Sequence, residues 1–332
     1  MTNHGNMYGP NFTFLGIERC DLDKPETFKD ADVVIVGAPI DSGTSHRSGA
    51  KFGPQAIRMG DYLPHDGERP HLALRTDGLK DLKVVDAGDL IMNGGDLVGS
   101  LKFLEAATEK ISKAGAIAVV LGGDHSIASA DVAGIANHRG KGKVSMIHFD
   151  AHADTGADQF GALVGHGTPM RRLIDNGHVR GDRFLQLGLR GYWPDDATLN
   201  WMRDQGMRSY EMTEIHHRGL KTVLDESFSI LTDGCDGVFL SVDIDVVDPG
   251  MAPGTGTPEP GGMTSRELLE AVRRICLELP IVGIDVVEVA PPFDSADITA
   301  ILANRVVLEA LSAIALRKKG GTYSPTRNLL DR

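Results

Sequence analysis

Three short segments of this 332-residue sequence carry nearly all the metal-ligating residue types that cluster. They are Leu121-Gly-Gly-Asp-His125-Ser, His148-Phe-Asp150-Ala-His152-Ala-Asp154-Thr and Ser241-Val-Asp243-Ile-Asp245-Val-Val-Asp248-Pro. Each follows an apolar run of strand type. In extended chain, residues i, i+2 and i+4 point the same way, so Asp150, His152 and Asp154 can share one face, as can Asp243 and Asp245. His148 is placed on the opposite face, as packing or support. A lone Asp after a strand is usually a cap or a turn. Four carboxylates and two histidines on otherwise apolar strand ends are different, because packing them together without cations buries several like charges. Four Asp anions balance two divalent cations. Mostly carboxylate ligands, two imidazoles and no thiolate favour Mn²⁺, with Ni²⁺, Zn²⁺ or Co²⁺ as alternatives. Two such ions, about 3.5–4 Å apart, hold a bridging water and make it a nucleophile near neutral pH. The chemistry this implies is hydrolysis.

Those side chains need a frame. Continuous runs of Val, Ile and Leu predict strands at 32–38, 83–87, 116–121, 144–149, 183–187, 237–242 and 281–287, with a weaker one at 208–210. A stripe of Leu97, Leu101, Leu104, Ala107 and Ile111 predicts a helix over 96–113. Thr264 and Glu267 form a capping box that opens a helix to 279, and a last helix is expected over 295–316. Strands alternating with helices imply one parallel sheet covered on both sides, in the α/β class. All three clusters then fall at the carboxyl edge of the sheet, where open α/β folds bind ligands. Residues 1–30 read as an N-terminal arm packing on something else, such as another subunit. Residues 31–320 read as a single domain and 321–332 as a C-terminal tail.

Composition excludes other classes. With 34 Lys+Arg against 46 Asp+Glu the formal charge is −12, which disfavours nucleic acid as a partner. No apolar run approaches the ~18 residues that span a bilayer, so no membrane association is expected. Three widely spaced cysteines and an N-terminus without signal-peptide character point to the cytoplasm.

Four blocks, GGDHS, DAHAD, SVDIDVVDPGMAPGTGTPEPGG and GIDVVEVAPPFD, carry a resemblance that covers roughly residues 30–316 in consistent order. Together they resemble the signature blocks of the ureohydrolase (arginase/agmatinase) family, in its agmatinase-like branch. The resemblance implies an arginase-like three-layer α/β/α sandwich with an eight-stranded parallel sheet. It implies two Mn²⁺ ions per subunit, hydrolysis of a guanidino group to urea and an amine, and a homotrimer or homohexamer. Carried over by position, His125, Asp150, Asp154 and Asp243 hold one ion. Asp150, His152, Asp243 and Asp245 hold the other, with Asp150 and Asp243 bridging. Glu288 matches the carboxylate that grips the guanidinium, and His166, in Gly165-His-Gly-Thr-Pro169, matches a proton-relay histidine. Asp124 would support the metal ligands by hydrogen bonding, and residues 43–54 would lie over the substrate tail. The remaining histidines (His4, His46, His65, His71, His138, His178, His216 and His217) have no metal spacing.

Agmatine, cleaved to putrescine and urea, is the leading substrate. Its ammonium end would need a carboxylate such as Asp158. A guanidino acid such as 4-guanidinobutyrate, or another guanidine or biguanide, is the alternative. An acid would need a cation, for which Arg47, Arg171 and Arg172 are candidates. The 158–164 loop and Gly191-Tyr-Trp193 decide between them. A mononuclear zinc deacylase of the same fold and a silent partner subunit are weaker readings.

Overall fold

A computed structural model describes residues 7–61 and 69–327 of the chain; His4 and His65 lie outside them. The strands are β1 (Val33–Ala38), β2 (Val84–Asp89), β3 (Ile117–Gly122), β4 (Val144–Phe149), β5 (Phe184–Leu189), β6 (Arg208–Glu211), β7 (Gly237–Asp243) and β8 (Ile281–Val287). The helices are α1 (Gly53–Met59), α2 (Gly78–Asp81), α3 (Leu97–Lys113), α4 (Ala128–Arg139), α5 (Pro169–Asp175), α6 (Asp196–Asp204), α7 (Met212–Arg218), α8 (Leu220–Thr232), α9 (Ser265–Glu278) and α10 (Ile298–Lys318). All eight strands run parallel in the order β2-β1-β3-β8-β7-β4-β5-β6. This is the expected three-layer α/β/α architecture. Alternation within β1 shows the layering: Val33 and Ile35 join the core under α8, α9 and α10, while Val34 and Val36 join the core under α3 and α4.

The strand ends agree with expectation to within two residues. The capping box at Thr264 is present, with the Thr264 hydroxyl accepting from the Glu267 N–H and the Glu267 carboxylate accepting from the Thr264 N–H. The last helix starts later than expected, at Ile298. The Asp294 carboxylate accepts from the N–H groups of Thr299 and Ala300, and Ala296 and Asp297 have positive φ, so 295–297 turn before the helix begins. At 21 residues α10 is long and apolar enough to cross a membrane, yet most of it is buried in this core.

The described part of the N-terminal arm packs on its own chain. Glu18 and Cys20 pair with Asp86 along the edge strand β2, and Phe14, Cys20, Leu22 and Phe28 are buried. Covering an edge strand in this way removes a site for unwanted pairing. The arm is tied down by charge. Arg58 of α1 is buried against Asp86 and Asp89, and Asp86 Oδ2 also accepts from the Phe14 N–H at 2.7 Å. Arg58→Met would leave two carboxylates buried without their cation, a loss of about 3–5 kcal/mol. Urea unfolding should show a lower midpoint, and an unchanged midpoint would show that the pairs contribute nothing net.

Candidate active site

Four adjacent strands in the middle of the sheet end level with one another. Leu121 of β3 pairs with Val286 of β8, Val287 of β8 with Asp243 of β7, and Val242 of β7 with Phe149 of β4. Just beyond these ends stand His125 after β3, Glu288 after β8, Asp243 and Asp245 at β7, and Asp150, His152 and Asp154 after β4. The second glycine of the GGDH block has a steric reason: a Cβ on Gly123 would lie 1.9 Å from the Ile40 carbonyl oxygen.

Strand alternation is not what brings the carboxylates together. Extended structure stops at Phe149 and Asp243, and the chain turns. Asp154 sits at φ +53, and Ile244–Val246 forms a 3₁₀ turn. Each strand-end carboxylate caps its own turn: Asp150 Oδ1 accepts from the His152 N–H at 2.6 Å, and Asp243 Oδ1 from the Asp245 N–H at 2.9 Å. Asp154 and Glu288 (φ +62) both hold the left-handed backbone conformation, a strain of roughly 1–3 kcal/mol each that collects at functional sites.

Two donor sets result. His125 Nδ1 lies 3.1 Å from Asp150 Oδ2, 3.1 Å from Asp154 Oδ2 and 3.2 Å from Asp243 Oδ2. His152 Nδ1 lies 3.1 Å from Asp245 Oδ2 and 3.5 Å from Asp150 Oδ1. Asp150 therefore faces both sets, one oxygen to each. Burial works against a charged His125, yet three carboxylates outweigh it and hold the ring protonated well above its usual range. Burial, with the charges of Asp245 and Asp150, pushes Asp243 well above the carboxylate range. A buried donor set that draws in protons so strongly fits cations, and its mix of hard oxygens and imidazoles suits divalent ones.

His148 departs from expectation. It does not face away from the ligands: its Nε2 donates to Asp150 Oδ2 at 2.8 Å, and its ring packs edge-on against His125 with centroids 4.9 Å apart. His148 and Asp150 are two residues apart, so the alternation rule itself puts them on one face. Its role is support, since it orients the shared carboxylate. Asp124 also differs. Its carboxylate accepts from the N–H of Gly43 at 2.7 Å and of Ser126 at 2.9 Å, so it ties the rim loop to the His125 turn.

Glu288 and His166 meet. Glu288 Oε1 accepts from His166 Nδ1–H at 2.9 Å and from the His125 N–H at 2.9 Å, while the buried Oε2 has no hydrogen-bond partner. One oxygen, not two, is thus free for a guanidinium while His166 stays in place. His166 Nε2 accepts from the Ser45 N–H at 3.0 Å and lies 2.6 Å from the Ser45 Oγ. Burial lowers the affinity of His166 for a proton, but the Glu288 charge prevails and raises the pKa to about 9. Glu288 is correspondingly lowered, with burial outweighed by His166. Glu288→Gln removes the charge that keeps the ring protonated, so the upper limb of the pH–rate profile should move from about 9 toward the unperturbed value of roughly 6.5. A profile that stays in place under this substitution would uncouple the two residues.

His166 and the donors His152, Asp154 and Asp243 line a cavity of about 390 Å³, together with Ser45, Asp158, Gln159, Phe160, Gly167, Trp193 and Thr257. Asp158 and Trp193 reach it as expected. The candidate cations do not line it. Arg47 lies over the Phe293 ring, Arg171 stacks on Trp201 and donates to the Thr155 carbonyl, and Arg172 donates to the Ala157 carbonyl and pairs with Asp175.

The fold and the site define an arginase-like α/β/α hydrolase. Residues 31–313 match the arginase family. The guanidinobutyrase of Pseudomonas aeruginosa is 36% identical over 296 residues, spanning 88% of this chain and 89% of that one. An agmatinase of Cronobacter sakazakii is 38% identical over 92% of this chain and 94% of its own. Among solved structures, the proclavaminate amidino hydrolase of Streptomyces clavuligerus superposes with a TM-score of 0.81 at 35% identity, covering 93% of this chain and 99% of that one. The chain belongs to the arginase family, as an agmatinase-like ureohydrolase. That family is binuclear-metal dependent, in keeping with the His/Asp cluster described above.

Proposed function

We propose that this protein hydrolyses agmatine to putrescine and urea with two Mn²⁺ ions per subunit. His125, Asp150, Asp154 and Asp243 would hold one ion, and Asp150, His152, Asp243 and Asp245 the other. When bound, the ions supply a water acidified enough to attack near neutral pH. Glu288 Oε2, buried and unpartnered, binds the guanidinium and sets its central carbon in place; a charge-assisted bond of this kind is strong and directional. His166, protonated below about 9, is the proton donor to the departing amine. Phe160 and Trp193 offer apolar faces to the methylene spacer.

The observation that carries the choice of agmatine is the cavity wall. Asp158 lines it, and no Lys or Arg stands among its described lining residues, so the far end favours an ammonium over a carboxylate. The same reading implies a homotrimer or homohexamer in the cytoplasm, and light scattering on the metal-loaded protein reads the assembly. Asp158→Asn should raise KM for agmatine by roughly two- to five-fold, the scale of an ion pair open to water, with kcat little changed. A wild-type preference for 4-guanidinobutyrate over agmatine in kcat/KM would overturn the choice and favour the guanidino-acid reading.

A further inference from the structure

Beneath the ligands a second, drier set of polar groups runs into the sheet. β8 is buried along its whole length, yet Asp285 stands in the middle of it, without exposure to solvent. Asp131, on α4 among alanines and valines, is as deeply buried. Asp285 Oδ1 accepts from the Ser241 hydroxyl at 2.8 Å and from the Val242 N–H at 3.2 Å. Asp131 Oδ1 accepts from the Val132 N–H at 2.6 Å. The second oxygen of each carboxyl has no donor, α4 packs on β8, and the Asp285 charge acts on Asp131. Two ionised carboxylates cannot satisfy each other, because both only accept. Two like charges buried side by side in the core are also costly.

The chain of contacts continues upward. Ser241 Oγ lies 2.9 Å from His125 Nε2. Since the Ser241 hydroxyl proton goes to Asp285, its oxygen is left to accept from Nε2–H, so in the neutral ring it is Nδ1 whose lone pair would be free for a cation.

We propose that Asp131 and Asp285 share a single proton, carried on Asp131, and that the charge left on Asp285 acts through Ser241 as a positioning device that fixes the ring orientation and tautomer of His125. The placement on Asp131 follows from the hydrogen bonds: Asp285 receives two, which stabilise its anion, and Asp131 receives one. Burial, reinforced by the Asp285 charge, also pushes Asp131 well above the carboxylate range. Hydrogen bonding behind a metal-ligating histidine sets its basicity as well as its angle, and losing such a partner typically costs about 10–100-fold in metal affinity. This proposal rests on His125 being a metal donor.

Infrared spectroscopy of the metal-loaded protein, with ¹³C-labelled aspartate, tests the shared proton. A buried carboxylic-acid carbonyl band should be present in the wild type and absent in Asp131→Asn. Mn²⁺ titration followed by electron paramagnetic resonance tests the positioning. Asp131→Asn, whose amide donates as the acid does, should bind Mn²⁺ within a few-fold of wild type. Asp285→Asn should bind about 10–100-fold more weakly, with the fold intact by circular dichroism. Absence of an Asp131-dependent acid band would overturn the shared proton, and wild-type Mn²⁺ affinity in Asp285→Asn would overturn the positioning role. If His125→Ala still held two ions tightly, the ligand assignment would be wrong instead, whatever the infrared result.

Discussion

Asp150→Asn is expected to fold and to be nearly inactive, with turnover down by about 10³-fold, the upper end of what one electrostatic group contributes. The geometry makes this residue the most sensitive in the site. Its Oδ2 faces His125 Nδ1 and takes the His148 Nε2–H, while its Oδ1 faces His152 Nδ1 and the His152 N–H. Asp243, also proposed to hold both ions, turns Oδ2 to His125 Nδ1 and Oδ1 to the Asp245 N–H. His148 and His125 outweigh burial and hold Asp150 ionised, well below the usual carboxylate range. An amide in its place removes that charge and turns an N–H toward one of the two cations. Metal content measured beside urea release should show fewer than two tightly held ions per subunit. Two retained ions and ordinary turnover would remove Asp150 from the ligand set.

His166→Ala is expected to lose about 10²–10⁴-fold in turnover, the usual range for a general acid–base group, with both ions retained. His166 is held from three sides: its N–H donates to the Gly43 carbonyl, Nδ1–H to Glu288, and Nε2 rests on Ser45. None of these contacts belongs to a proposed metal donor side chain. Removing the imidazole also releases Glu288 Oε1, so the guanidinium gains a second oxygen and KM should fall or hold while kcat drops. In the wild type, activity that needs the protonated ring should decline as pH rises through about 9. Loss of a metal ion in the variant would make His166 a ligand and not a proton donor.

Most of the frame was legible because its strands are buried on both faces and so read as unbroken apolar runs; β4 and β8 were located to the residue. The six clustered ligand-type residues were legible because no apolar strand end needs so many charges. What alternation could not convey was how they converge. Beyond Phe149 and Asp243 the chain leaves extended geometry, and it is the turns at 150–155 and 244–246, with Asp154 at positive φ, that aim the side chains. The contact of Glu288 with His166 joins residues 122 apart in sequence, and no local pattern encodes it. Asp285 and Asp131 carried a usable signal all the same: a carboxylate inside IVGIDVV, and another inside ASADVAGIA, had to find a partner in the core. The start of α10 was misplaced because Asp294 caps it from a distance, across 295–297.

Everything proposed for this site turns on hydrolysis of a guanidino group at a two-metal centre. The most direct test is urea and amine release from agmatine by protein reconstituted with Mn²⁺, compared with the same protein after exhaustive chelation. Urea and putrescine should appear in equal amounts with about two ions bound per subunit, with no product after chelation and recovery when Mn²⁺ is returned. Undiminished hydrolysis by the chelated protein, or no urea from any guanidino amine or guanidino acid by the fully loaded one, would contradict two-metal hydrolysis.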